Sequence, residues 1–466
     1  MIEWLVAAPA SGGGKTVLAC ALLQALKRRG LSPCAFKCGP DYIDSMFHRA
    51  VLGVASCNLD LFLSDETAVR RLYARGCAGH GAAIVEGVMG LYDGLGGVTD
   101  RASAWHMADT LGLPVLLCLR PKGSSLTLAA QVKGLQAFRR DSHIAALFLT
   151  DCSAMLYQTL SPMLERETGL PVLGYLPHME TAVVESRHLG LRTAGEIKDL
   201  AARLCAVAAV LEETLDWPRF FALGRGPARP LPDRETEPGA LRVPIAVAQD
   251  EAFCFTYAES LDMLRRCGAQ LLPFRPLDDR ALPEGACALY LPGGYPELYA
   301  RSLAENEAGR CAVAAAVTGG MPTVAECGGF LYLGQALQGT DGQWYPMAGV
   351  LPGKAERKEG LVRFGYAVLT AEEESLLFRP GEQVPVHEFH HWDSSHNGGA
   401  FKAEKTGTGR SWQCGFASPT LYAGFPHLYF AGSPQMAERF VAAAERYGKE
   451  RRIGYELAVS CGEDWT

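Results

Sequence analysis

Residues Ala8–Thr16 read APASGGGKT, between an apolar run, Glu3–Ala7, and an amphipathic stretch, Thr16–Arg29. A glycine-rich turn that leaves a strand and opens a helix is where a phosphate-binding loop sits. The glycines free backbone N–H groups and the helix N-terminus adds partial positive charge, so together they cradle phosphate oxygens. Ser11, Gly12, Gly13, Gly14, Lys15 and Thr16 are therefore candidate nucleotide-binding residues, with Lys15 as a point charge and Thr16 as a Mg²⁺ ligand. The strict G-x-x-x-x-G-K-[ST] pattern asks for glycine at position 9, where Pro9 stands.

Downstream of this loop the same alternation continues. Cys34–Lys37, Ala82–Glu86, Val115–Leu119, Ile144–Thr150 and Val172–Leu176 are short apolar runs, separated by helical patterns such as Thr67–Arg75. Strand–helix alternation predicts a parallel sheet covered on both faces. Arg225–Arg242 is rich in Pro, Gly and charge and reads as a linker. Alternation then resumes with strands at Ile245–Ala248, Gln270–Phe274, Ala288–Leu291 and Thr323–Ala325 and helices at Tyr257–Cys267 and Glu305–Thr318; Gly349–Phe430 has a more β-like pattern. The expected organisation is an α/β domain over 1–224, a linker over 225–242, a second α/β domain over 243–450 and a tail over 451–466.

Composition narrows the function. The chain has 466 residues, 44 Lys+Arg against 51 Asp+Glu, a formal charge of -7 and 48% hydrophobic residues, which suits a globular protein of more than one domain. Mild acidity argues against wholesale nucleic-acid binding. The longest apolar stretch, Leu113–Leu119, is far too short to span a membrane. No basic segment precedes the first apolar run, as a signal peptide would require. The 15 cysteines show no C-x-x-C spacing, so a disulfide framework is excluded and a reducing cytoplasm is expected.

A nucleotide–Mg²⁺ site also needs carboxylates at neighbouring strand ends. Glu86 closes the run AAIVE, Asp41 and Asp44 lie in KCGPDYID beyond the second strand, and Asp93 lies in the turn GVMGLYDGLGG. Carboxyl ends of parallel strands face one crevice, which brings these acids towards the loop.

The second half carries a different chemistry. Thr323–Ala325 runs into ECGGF, and a residue on a Gly-flanked strand-to-helix turn presents its side chain as a nucleophile elbow does. Cys327 stands at that tip. His427, in AGFPHLYF, is the candidate base, and Gly293 and Gly294 of LPGGYPE could present N–H donors to a tetrahedral intermediate. VHEFHHWD gathers His387, His390 and His391 without the H-E-x-x-H spacing of a zinc site, so a polar substrate-binding strand is expected there.

APASGGGKT, FKCGPDYID, VEGVMGLYDG, ESRHLGL, LPGGYPE, AECGGF, VHEFHHWD and GFPHLYF occur in the order seen in the cobyrinic acid a,c-diamide synthases of cobalamin biosynthesis. The resemblance runs from Ile2 to about Tyr447. It implies an amino-terminal P-loop domain of the dethiobiotin-synthetase type and a carboxy-terminal class-I-like glutamine amidotransferase domain. It also implies the reaction: ATP activates the a- and c-acetate carboxylates of a corrinoid, cobyrinic acid, and ammonia from L-glutamine converts each to a carboxamide, with Mg²⁺ as cofactor. Carried over by position, Cys327 resembles the glutaminase nucleophile, His427 its base, and Gly293 and Gly294 its oxyanion hole. Thr16, Asp41 and Glu86 match metal positions, and Asp41 and Asp93 match the catalytic acids of the synthetase site. Tyr42 and Asp44 match positions that handle the corrinoid.

Tyr429 stands where the usual class-I triad has Glu, so the resemblance implies a Cys–His dyad and slow glutamine hydrolysis unless the synthetase side is filled. A substrate rich in carboxylates calls for local positive charge. Arg187 and His188 of ESRHLGL, Lys354, Arg357, Lys358 and above all Arg363 are candidates, together with His387 and His390. Homodimerisation is an expectation that no particular residue supports. Rival readings are cobyric acid synthase, an a,c-diamide synthase for hydrogenobyrinic acid or nickel-sirohydrochlorin, and a non-amidating P-loop ATPase with a degenerate amidotransferase-like module.

Overall fold

The computed structural model describes residues 1–179, 200–226 and 242–451, with the backbone of a short hairpin, β8 (Ser186–Arg187) and β9 (Gly190–Leu191). Residues 227–241 of the expected linker and 452–466 of the expected tail lie outside the described residues, as do His188 and the side chain of Arg187. The chain divides into two compact units, Met1–Asp233 and Arg234–Thr466.

The first unit is built on β1 (Ile2–Ala7), β2 (Pro33–Cys38), β3 (Ser56–Leu59), β4 (Ala82–Glu86), β5 (Val115–Leu119), β6 (Ile144–Leu149) and β7 (Val172–Tyr175). They form one sheet in the order β3-β2-β4-β1-β5-β6-β7, with every neighbouring pair parallel. Strands β2, β4 and β5 are buried along their whole length, as a sheet covered on both faces requires. Helices Lys15–Arg28 and Leu200–Thr214 pack alongside one another on one face. Because the chain starts mid-sheet, the loops after β1, β2 and β4 open into one crevice. The register sets Glu86 abreast of Val6 on one side and Lys37 on the other.

In the second unit β10 (Val243–Ala248), β11 (Ala269–Phe274), β12 (Ala288–Leu291), β13 (Thr323–Glu326), β22 (Phe416–Ser418) and β23 (Leu421–Gly424) form a sheet ordered β11-β10-β12-β13-β23-β22. It is parallel except for the β22–β23 pair. The β-like stretch supplies β22 and β23 of that sheet and six of the eight strands of two further four-stranded sheets. One contains β14 (Ala336–Gln338), β15 (Trp344–Pro346), β16 (Lys354–Arg357) and β19 (Trp392–Ser394). The other, antiparallel, contains β17 (Arg363–Ala371), β18 (Gln383–His390), β20 (Phe401–Lys405) and β21 (Ser411–Cys414). Side chains alternate across the main sheet: Ile245, Val247 and Val324 enter one core, Ala246, Ala248 and Ala325 the other.

Candidate active sites

The phosphate loop joins β1 to the helix Lys15–Arg28. Gly14 caps that helix at φ 87°, in the left-handed region where a side chain would be strained. A Cβ on it would also meet the Thr150 methyl at 3.0 Å. The Thr150 hydroxyl donates to the Gly13 carbonyl at 2.9 Å and so ties the loop to the end of β6. Lys15 Nζ donates to the carbonyls of Met89 (2.5 Å) and Ala10 (3.3 Å). Burial, and then the charge of Lys37, lower its pKa.

Beside the loop lies a buried polar cluster. Lys37 Nζ is 2.5 Å from Asp44 Oδ2, 2.8 Å from Glu86 Oε1 and 3.9 Å from Asp41 Oδ2. Thr16 Oγ1 donates to Glu86 Oε1 at 2.5 Å. Burial works against the charge on Lys37, but Asp44, Glu86 and Asp41 outweigh it and hold the ammonium well above its ordinary pKa. Burial, and then the charge of Glu86, push the Asp44 carboxyl up to about 6. Asp41 moves the same way, driven by burial and then Asp44; its side chain stays 37% exposed to the crevice, and water there moderates the shift. Its Oδ1 caps the helix Tyr42–Ala50 through Ile43 N and Asp44 N. Asn58 pins the same turn by donating to the carbonyls of Gly39 and Asp41.

Asp93 accepts from Gly90 N at 2.9 Å, and Leu91 N donates to Ala8 O, so this acid shapes a turn laid against the phosphate loop. Tyr42 is buried at the first position of its helix. Mg²⁺ takes hard oxygen ligands, often one or two carboxylates beside phosphates and water. Thr16 and Glu86 fit that description, and Glu86 Oε2 and Asp44 Oδ1 are buried without a hydrogen-bond partner. Among the described residues no three His, Cys, Asp or Glu side chains form a metal cage, so the fit rests on the Thr16–Glu86 pair.

In the second unit Cys327 leaves β13 with φ 45° and ψ -100°. A non-glycine residue held there stores strain of about 1–3 kcal/mol. Glycines let the elbow close: a Cβ on Gly329 would lie 2.1 Å from Leu291 O, and one on Gly328 3.0 Å from Gly294 N. Thus the elbow and the LPGG loop meet backbone to backbone. A Cβ on Gly293 would lie 2.5 Å from His427 Cε1, so the ring packs directly on this glycine. His427 is held by a backbone bridge to His387, and its ring is paired electrostatically with the Cys327 thiol. Burial opposes its charge, but Cys327 and then Glu326 outweigh that and raise its pKa. His387 moves the other way, pushed down to about 3 by burial and then by His427.

Two family models match the chain: a CobQ/CobB/MinD/ParA nucleotide binding domain over residues 4–190 and a CobB/CobQ-like glutamine amidotransferase domain over 244–435. Over nearly its full length the chain is similar to proteins named cobyrinate a,c-diamide synthase. It is 38% identical over 451 residues to that of Salmonella typhimurium, covering 95% of this chain and 98% of the relative. Against that of Synechococcus sp. it is 37% identical over 453 residues (95% and 98% covered), and against that of Caldanaerobacter subterraneus 34% over 451 (96% and 99%).

The chain belongs to the cobyrinate a,c-diamide synthase family.

As a member of the cobyrinate a,c-diamide synthase family it is an ATP-using, glutamine-dependent amidating ligase, with a P-loop nucleotide-binding unit and an amidotransferase unit. Ser11, Gly12, Gly13, Gly14, Lys15, Thr16, Asp41, Asp44 and Glu86 gather at one crevice, and Cys327, His427, Gly293 and Gly294 at another. Two candidates for corrinoid contact sit differently. His390 is stacked on Phe425 with ring centroids 3.7 Å apart, its Nδ1 2.7 Å from Trp392 O and its Nε2 3.4 Å from Glu388. Arg363 lies over Trp412 with Nε 4.0 Å from Glu388, while its buried Nη1 has no hydrogen-bond partner. Among the described residues no helix is long and apolar enough to cross a membrane.

No motif in the sequence singles out Lys37, Thr150 or Glu326. Lys37 had a signal, a lone cation inside the apolar run CAFKC. Glu326 had one too, as an acid ending a strand that is buried on both faces. Thr150 had none.

Proposed function

We propose that this protein uses ATP and glutamine to amidate the a- and c-acetate carboxylates of cobyrinic acid, in the cytoplasm, through acyl-phosphate intermediates. The observation that carries this reading is that one chain holds both half-sites: a phosphate loop beside a buried Lys–carboxylate cluster, and a strained Cys327 on an elbow packed against the same LPGG loop as His427. The synthetase reaction would belong to 1–224 and the glutaminase to 243–450, joined through 225–242.

A carboxylate is a poor acyl donor because its leaving group would be oxide. Transfer of the γ-phosphoryl group to a carboxylate oxygen, with release of ADP, creates a good leaving group. Ammonia then attacks the acyl carbon and phosphate departs, leaving the amide. Lys15 and Lys37 supply the positive charge that such a transfer needs over its equatorial oxygens. Asp41, lying open to the crevice, is the residue to orient an incoming carboxyl group, and Tyr42, Asp44 and Asp93 support the same wall. Mg²⁺, held by Thr16 and Glu86, would neutralise phosphate oxygens.

At the other site the Cys327 thiolate attacks the glutamine amide carbon. The amide nitrogen takes a proton from His427 and leaves as ammonia, and water hydrolyses the thioester to glutamate. N–H groups of Gly293 and Gly294 are the proposed oxyanion donors. Arg187, Arg363 and His387 are proposed for the corrinoid side, Arg363 on the strength of its unpartnered guanidinium nitrogen.

The test is the mass of cobyrinic acid after incubation with ATP, Mg²⁺ and glutamine. Loss of about one mass unit per exchange of –OH for –NH₂, stopping at two, supports the reading. Cys327→Ala should then work with ammonium and fail with glutamine. No product from cobyrinic acid, with product from hydrogenobyrinic acid or nickel-sirohydrochlorin, would reassign the macrocycle. Silence on all three would sink amidation.

A further inference from the structure

Tyr429, two residues after His427, fills the place where an orienting carboxylate is usual, yet its ring is buried edge-on against Tyr257, with centroids 5.0 Å apart. A carboxylate does face the histidine, from another element. Glu326, the last residue of β13 and the neighbour of Cys327 in the chain, places Oε2 3.9 Å from His427 Nδ1. Alternation along β13 turns Glu326 into the apolar core on the side of Val324, where it is 1% exposed. A charge placed so deep destabilises the fold unless it is paired.

Two fixed donors aim this carboxylate. Leu428 N, next to His427 in the chain, donates to Oε1 at 3.0 Å, and Tyr290 OH donates to Oε2 at 3.1 Å. One carboxylate therefore clamps the backbone that carries the histidine while its second oxygen faces the ring. We propose that Glu326 is the positioning residue of the glutaminase site, holding His427 through Nδ1 so that the other ring nitrogen serves Cys327. This rests on the Cys–His glutaminase reading above.

The pairing explains an otherwise expensive buried acid, and it supplies the member missing from a dyad. It comes from the elbow itself, so nucleophile and positioning group share one strand end. The other titratable groups around the pair are Cys327, His387, Tyr290 and Tyr422. Of these, His387 is held neutral by burial and cannot substitute for an anion.

The experiment compares full-length wild type, Glu326→Gln, Tyr290→Phe and Cys327→Ala. It records glutamine- and ammonium-dependent amidation, and the pH profile of glutamine kcat/KM. For Glu326→Gln a 10- to 100-fold fall in glutamine-dependent kcat is expected on the scale of a misplaced base, with KM within about twofold. The ammonium-dependent rate should hold, and the alkaline limb of the profile, where imidazolium loses its proton, should move down by about one unit. An unmoved limb, or glutamine and ammonium rates falling together, overturns the proposal. Should Glu326→Gln fail to fold, Tyr290→Phe loosens the same carboxylate without changing charge. It should lower glutamine-dependent kcat about threefold with the limb shifted in the same sense, and no change overturns the proposal equally. If Cys327→Ala keeps its glutamine-dependent rate, the glutaminase reading itself fails. If only the Glu326 and Tyr290 variants are silent, that reading stands and the role of Glu326 alone falls.

Discussion

Lys37 and Glu86 stand abreast on neighbouring parallel strands, and the ammonium of one lies 2.8 Å from the carboxylate of the other. The same Glu86 oxygen receives the hydroxyl of Thr16, the last residue of the phosphate-loop motif. Two strand ends and a helix start are thereby joined through a single atom. Charge at this crevice is arranged by register, before any nucleotide arrives.

Lys37→Met should expose how much that arrangement matters to the fold. It leaves Asp44 and Glu86 buried beside each other without their cation. Breaking a buried pair in this way costs about 3–5 kcal/mol, a fall of roughly 10 °C in the amino-terminal melting transition for a unit this size. Calorimetry of wild type and variant would check it; an unchanged transition would contradict the pairing.

Cys327→Ala separates the two chemistries. Glutamine-dependent amidation should drop by at least about 10³-fold, while the rate with ammonium salts stays within about twofold. Parallel loss of both would mean that Cys327 serves the fold or the synthetase side.

Gly293→Ala tests the packing of the base. Its new methyl would need to share space with His427 Cε1, 2.5 Å away, and the ring must shift. A displacement of this order at a reacting group costs about 10²-fold. Steady-state glutaminase assays should show that loss in kcat, with the ammonium-dependent rate intact.

His387 predicts a pH effect of definite sign. Burial, and then His427, push its pKa from 6.5 down to about 3. Between those values the unfolded chain takes up a proton that the folded chain refuses. The stability this residue contributes is therefore present above pH 6.5 and lost as pH falls towards 3. Asp44, raised to about 6, acts in the opposite sense below that pH, so the informative quantity is wild type minus His387→Gln. That difference should shrink by up to about 1.4 kcal/mol per unit as pH drops below 6.5. Denaturant titrations at pH 7, 6 and 5 would measure it; a flat difference rules the shift out.

Much of this was legible in the chain because the relevant signals are local. APASGGGKT between an apolar run and an amphipathic one specifies strand, loop and helix, and β1 with the helix Lys15–Arg28 follows it to within a residue or two. ECGGF specifies an elbow for the same reason, since glycine spacing dictates how closely backbones approach. Strand β3 was illegible: its sequence SCNL is half polar, because Ser56 and Asn58 bond to His48 and Ser45 in the interior. Likewise Glu326 met its histidine across 101 residues of chain, by sheet register that no local pattern encodes. The pattern VHEFHHWD says nothing of how His390 packs, stacked on Phe425 with Nδ1 against Trp392 O, because both partners come from elsewhere in the fold or from the next strand.

Thr150 gives the phosphate loop a last property. Its hydroxyl grips the Gly13 carbonyl and its methyl crowds Gly14, so two of the loop's most pliable residues are braced from a strand two places away in the sheet. The disorder that glycines would otherwise bring has been surrendered during folding. An arriving triphosphate meets a finished mould rather than a net that must tighten around it, and the ordering cost of capture is correspondingly small.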